Sequence, residues 1–190
     1  MPPPPKKPDP PHKLNIATNS IRNTTFASDN DKIYYEVVTR FWHPRLTKVI
    51  KHDFEMRCVT TIAEIEWLPK QEMKVRFNPD GQEGEWMPAT EFINYDQKNG
   101  GMFTGGDGVE YRWRMEKRMF QLVKENDGDK TPIAEYRPYQ RHFFVWRMSQ
   151  RARMDVKKEA MSSLEKIIVS YLLVEKRRRQ NSLPIRAHRP

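Results

Sequence analysis

The densest candidate for chemistry in this 190-residue chain is Lys176-Arg177-Arg178-Arg179, four adjacent cations with Glu175 before them and no acid after them. Such a run could complement the C-terminal end of a helix, bind anionic lipid headgroups or phosphoinositides, or act as a nuclear-import or RNA-contact cluster. All three readings stand on sequence alone. Arg147, Arg151, Arg153, Lys157 and Lys158 could extend a basic patch, unless a helix carries the two groups to opposite ends of the fold. Gly105-Gly106-Asp107-Gly108 has the glycine content of a phosphate-cradling loop, yet no Gly-Lys-Ser/Thr follows and a strand comes next, so it reads as a hairpin turn. Glu125-Asn126-Asp127-Gly128-Asp129 gathers carboxylates without EF-hand ligand spacing and reads as a solvated loop. His43 and His142 have no evident Cys or carboxylate partner, and the G-x-S-x-G, H-E-x-x-H and P-loop patterns do not occur. The expectation is a chain that is not an enzyme, with no catalytic residue, no metal ligand and no cofactor.

Charge sharpens this. The formal net charge of +9 divides into +2 over residues 1–13, −1 over 14–146 and +8 over 147–190. A neutral body rules out whole-surface electrostatic steering and leaves one basic end. The lone Cys58 excludes a disulfide framework and a Cys-based zinc site, and suggests a reducing compartment. No stretch approaches the ~18 apolar residues of a membrane span, and no apolar run follows Met1-Pro2-Pro3-Pro4-Pro5. A soluble intracellular protein, cytoplasmic or nuclear, is expected, in which the Asn23-Thr24-Thr25 sequon stays unmodified.

These groups must be positioned by a predominantly β scaffold. Residues 1–12 form a Pro-rich tail, either solvated or a polyproline ligand through its P-x-x-P spacings; residues 13–180 read as one domain and 181–190 as a loose basic tail. Period-two alternation fills the body, broken by Asp80-Gly81, Asn99-Gly100, Asp107-Gly108 and Asp127-Gly128. In Val109 to Met115, Val109, Tyr111, Trp113 and Met115 share one face and charged residues the other. One hairpin can be registered: Trp67 opposite Met73 sets Ile65 against Val75 and Ala63 against Phe77 on the inner face. The same register sets Glu66 against Lys74 and Glu64 against Arg76 on the outer, solvent face. Further strands are expected at 13–17, 32–40, 47–52, 54–61, 120–125, 133–137, 143–147 and 153–157, with short pieces near Trp86 and Phe103. Ser162-Ser163-Leu164-Glu165 then matches a capping box and opens a helix running to about Arg179. Its centre, Ile167 to Val174, is apolar all round, so it must be buried on every side; a buried strand is the rival reading. The expected fold is mainly β, an antiparallel barrel of about ten to twelve strands closed around a buried C-terminal α-helix.

From Leu14 to Arg179, Asn23-Thr24-Thr25, Ile33 to Val37, Ala63 to Trp67, Val75-Arg76-Phe77, Phe103 to Trp113 and the apolar run into Val174-Glu175-Lys176 resemble an uncharacterised fungal family. Its most specific element here is the F-T-G-x-D-G-x-x-Y-R-W stretch from Phe103 to Trp113. That family is distantly similar to the tubby-like, LURP-one-like and scramblase-like group. The resemblance implies a twelve-stranded barrel around a hydrophobic C-terminal helix and implies no activity; phosphoinositide binding in the tubby branch is an analogy of fold only. The first functional expectation is a binding module whose Lys176, Arg177, Arg178 and Arg179 contact anionic lipid or a protein partner. The alternatives are a nucleic-acid-associated protein using the same end and, last, a small-ligand carrier or enzyme. Oligomeric state is open.

Overall fold

The computed structural model describes residues 9–68, 71–97, 100–116, 119–126, 131–139 and 151–182. The expected strand at 143–147, the turn at Asp127-Gly128, Asn99, His142, Arg147, and the tails at 1–8 and 183–190 lie outside them. The first half of the chain forms β1 (His12–Ile16), β2 (Thr24–Ala27), β3 (Tyr34–Thr39), β4 (Leu46–Asp53), β5 (Cys58–Glu66), β6 (Lys74–Phe77) and β7 (Met87–Pro88). A four-residue helix, α1 (Ala89–Phe92), leads into the second half: β8 (Asn94–Tyr95), β9 (Gly101–Thr104), β10 (Glu110–Glu116), β11 (Met119–Lys124), β12 (Ala134–Arg137) and β13 (Arg153–Val156). A 3-10 turn at Lys158–Ser163 then passes into α2 (Leu164–Ser182).

All thirteen strands belong to one antiparallel sheet in the order β7-β6-β5-β4-β3-β2-β1-β13-β12-β11-β10-β9-β8. Each half is a meander, and the pairing of β1 with β13, His12 opposite Val156 through Asn15 opposite Arg153, joins them. The expected closed barrel of ten to twelve strands is thus corrected to an open thirteen-stranded sheet, with β7 and β8 as its edges. The seam has a local cause. Pro88 carries no N–H to extend a ladder, and the chain turns helical at Ala89 before the next strand begins.

The β5–β6 hairpin has the register expected from alternation, with Ala63, Glu64, Ile65 and Glu66 opposite Phe77, Arg76, Val75 and Lys74. Its outer face is less exposed than expected: Glu64 is 2% accessible, held by Arg76 and by Lys48 at 3.1 Å, while Trp86 lies under the Arg76 guanidinium at 4.9 Å. The stretch expected as a strand from Phe54 divides differently. Residues 54–57 are turn, and β5 runs unbroken from Cys58, with a register shift against β4 at Val49/Ile50.

Helix α2 resolves the helix-or-strand ambiguity. Its nine consecutive residues from Ile167 to Glu175 are all buried. A segment inside a curled sheet has no ladder to join, so it must satisfy its own backbone N–H and C=O groups, which only a helix does. The β-branched Ile167, Ile168, Val169 and Val174 lower helix propensity by about 0.5 kcal/mol each, whereas burying each side chain contributes about 1.5–3 kcal/mol. Packing wins. The Tyr171 ring meets Phe26 of β2, Trp113 of β10, Phe120 of β11 and Tyr136 of β12 at 4.6–6.2 Å, so strands from both halves surround the helix. One polar link crosses this core: the Trp113 indole N–H donates to Ser170 Oγ at 2.8 Å, and that hydroxyl donates to the Ile167 carbonyl at 3.0 Å.

Replacing Ser170 by Ala strips the buried Trp113 N–H of its acceptor and should lower the unfolding free energy in urea by about 1–3 kcal/mol. In a Trp113→Phe background, where no N–H needs an acceptor, the same change should cost close to nothing. Equal losses in both backgrounds would contradict this account of the link.

Candidate functional site

The two ends of α2 differ in chemistry. At its start the β9–β10 turn docks on the helix. Gly105 N–H donates to the Val109 carbonyl at 2.8 Å, and Gly108 takes φ of +76°, which closes the turn. A Cβ on Gly105 would lie 2.5 Å from Ser163 Oγ, so glycine is needed for the close approach. Ser163 Oγ accepts the N–H of Gly106 at 2.9 Å and of Asp107 at 3.4 Å. The amides that a phosphate would need are therefore already used, and the hairpin reading of this motif holds. The capping box Ser162 to Glu165 does not act as one: its Glu165 accepts from Lys51 Nζ at 3.1 Å, and the neighbouring Ser163 serves the turn.

Asp107 completes the dock, accepting from the Tyr111 hydroxyl at 2.6 Å and the Val109 N–H at 3.1 Å. Desolvation pushes its carboxyl up, but the hydrogen bonds from Tyr111, Val109 and Ser163 together hold it below the usual carboxylate value.

At the other end the predicted cations separate into two roles. Glu175, with its side chain 1% accessible, accepts from Arg178 at 2.6 and 2.7 Å and from Arg179 at 2.7 Å. The i+3 and i+4 spacing on one helical face makes this geometry available. Arg179 also donates to the carbonyl and side-chain oxygen of Asn19, fastening the helix end to the β1–β2 connection. These two arginines are anchors. Arg177 instead covers the Tyr95 ring at 4.5 Å, and Lys176 lines a cavity. The preceding basic residues do not join this group: Arg153 pairs with Asp155, Lys158 with Asp9, and Lys157 bonds Thr131, near the start of a helix ~28 Å long.

The cavity, about 390 Å³, lies between Arg22, Trp67, Thr90, Tyr95, Lys176 and Gln180, at the seam beside α1. Arg22 is oriented by donating to the Pro44 carbonyl at 3.1 Å and by the face of Trp67 at 5.9 Å. Among the described residues, neither Arg22 nor Lys176 has a carboxylate within ion-pair distance. Burial, then the neighbouring Arg22 and Arg179, hold the Lys176 ammonium below its ordinary pKa. Tyr95 contributes a buried hydroxyl with no hydrogen-bond partner among the described residues. Burial pushes its pKa up, with Arg177 opposing, so it stays a neutral donor. Glu72 is the acidic wall, accepting from the Thr90 N–H and hydroxyl.

Sequence reasoning found Lys176 and Arg177 but missed Arg22 and Tyr95. Arg22 lies in a connection and Tyr95 in a two-residue strand, and only the curl of the sheet brings them to the helix end.

Comparison with known families finds a match to one described as "Family of unknown function (DUF6593)" over residues 19–180, a span that includes every cavity residue just named. Comparison with curated proteins and with solved structures finds no match.

The division of labour is testable by guanidinium chloride unfolding. Changing Arg178 and Arg179 together to Gln leaves Glu175 buried and unpaired, and should cost about 3–5 kcal/mol. Lys176→Gln should instead raise the unfolding midpoint at neutral pH. The sign follows from linkage: a lysine whose pKa is lowered by folding destabilises the folded state while charged, and that penalty fades as pH rises through its folded-state pKa. The gain from Lys176→Gln should therefore shrink in alkaline solution.

Proposed function

We propose that this chain, which belongs to the family of unknown function DUF6593, is a non-enzymatic binding module that holds a phosphate-bearing anion in the cavity between Arg22 and Lys176. One observation carries the reading: two cations that form no ion pair among the described residues, Arg22 and Lys176, line one cavity together with Tyr95. An anion there would accept from Arg22 and Lys176 and relieve the repulsion between them. The cavity volume falls within the ~300–1,000 Å³ range of small-ligand sites.

The helix C-terminus opposes anion binding, since its dipole places about −0.5 charge there. Charge count decides against it. Arg22, Lys176, Arg177, Arg178 and Arg179 surround this end against Glu72 and Glu175, and the second carboxylate is already matched by two arginines. The ligand is read from the cavity residues alone and not from any likeness of fold.

Isothermal titration with pyrophosphate tests it. Wild type should release heat on binding, and Arg22→Gln or Lys176→Gln should each weaken affinity about tenfold or more, the worth of one charge-assisted hydrogen bond. Lys32→Gln, at a remote turn, should leave it unchanged. Affinity should fall as pH rises through the Lys176 pKa of the free protein, because the anion favours the protonated amine. Equal affinities in wild type and the Arg22 and Lys176 variants would overturn the reading. So would tighter, steeply salt-dependent binding of a single-stranded RNA, which would favour the nucleic-acid alternative.

A further inference from the structure

The connection between β3 and β4, residues 40–45, places two large apolar rings in solvent. Phe41 is 85% and Trp42 59% accessible, with ring centroids 4.9 Å apart. Solvent exposure of paired aromatics at a hairpin tip gains nothing for folding, because neither ring is removed from water. The flanking residues are cationic: Arg40 lies over the Trp42 ring at 5.8 Å, Arg45 is exposed, and the segment from Arg40 to Arg45 contains no acid. This tip is also fixed to the anion site, through the hydrogen bond from Arg22 to the Pro44 carbonyl.

A second apolar tip provides an internal comparison. At the far end of β4, Phe54 and Met56 are exposed between β4 and β5, but Asp53 and Glu55 accompany them with Arg57. Eight residues of β4 separate the two tips, about 26 Å of extended chain. Only the first combines exposed aromatics with a segment that carries cations and no acid, Glu66 being the one carboxylate that shares a concavity with Trp42 and Arg45 among the described residues, and only the first adjoins Arg22 and the Lys176 end of α2.

We infer that this rim docks on an anionic lipid bilayer, with Phe41 and Trp42 entering the interfacial zone while Arg40 and Arg45 meet headgroup phosphates. Charge complementarity selects this occupant over an unspecified apolar partner. Trp suits the interface because its ring is apolar and its indole N–H still finds an acceptor among headgroups. Arginines beside the rings add attraction to an anionic leaflet, which falls off within a Debye length of about 8 Å at physiological salt. The inference rests on the anion-binding reading of the same rim and names its source: the phosphate offered to Arg22 and Lys176 belongs to a headgroup at the membrane surface.

The test is flotation of the full chain with vesicles of phosphatidylcholine alone and of phosphatidylcholine with about one part in five phosphatidylserine, at ~0.15 M salt. Wild type should float with the anionic vesicles and not with the neutral ones. Phe41→Ser with Trp42→Ser, an exposed pair whose loss should leave the fold intact by far-ultraviolet dichroism, should lower the partition coefficient at least tenfold while pyrophosphate binding persists. Arg22→Gln with Lys176→Gln should weaken both. Undiminished flotation of the aromatic variant would overturn the inference. So would pyrophosphate binding in a wild type that floats with neither vesicle, a result that leaves the anion site standing. Self-association of wild type abolished in the aromatic variant, without flotation, would assign the tip to a second copy of the chain and overturn it equally.

Discussion

Everything in this fold follows from placing a helix where a strand-rich chain has no ladder to offer it. The run from Ile167 to Glu175 is too apolar to face water on any side, and a helix is the backbone form that can be enclosed completely while leaving no peptide group unsatisfied. A sheet able to surround it must be wide and strongly curled, which thirteen short antiparallel strands supply through their accumulated twist. Closure by hydrogen bonds is not required for that burial. Pro88 and α1 interrupt the ladder, and the interruption leaves room for a cavity beside the helix end.

The enclosed helix sets up two unlike ends. Its start is consumed by structure, with Ser163 taking the amides of the glycine-rich turn and Glu165 pairing with Lys51. Its finish is secured by one buried carboxylate, Glu175, which holds Arg178 and Arg179 and through Arg179 the β1–β2 connection. Lys176 and Arg22 are left outside that arrangement. Keeping two cations close together, neither of them in an ion pair among the described residues, opposes folding, which is the usual sign of a site arranged for something other than stability.

Much of this was legible in the sequence, and the limits have physical causes. The β5–β6 register could be read because apolar alternation and cross-strand charge pairs on opposite faces had to agree, as Ile65 with Val75 and Glu64 with Arg76 do. The helix was legible from its apolar centre and capping motif, although Glu165 of that motif proved to bond Lys51. Barrel closure was not legible, since it depends on whether two two-residue strands meet across Pro88 and α1. Within Lys176-Arg177-Arg178-Arg179, spacing from Glu175 offered the signal for anchors, but the burial of Glu175 that gives it force is tertiary. Arg22 and Tyr95 gave no local sign, because their meaning comes from a contact across more than seventy residues of chain. Phe41 and Trp42 could have been singled out as aromatics falling between strands rather than within them.

The central claim is that the open chemistry of the molecule lies where α2 ends. Amide chemical-shift mapping during titration with pyrophosphate addresses it most directly. The account predicts saturable shifts concentrated at Arg22, Tyr95 and Lys176 to Gln180, with the turn from Gly105 to Gly108 unmoved. Shifts centred on that turn, or spread evenly over the basic surface without saturation, would contradict it.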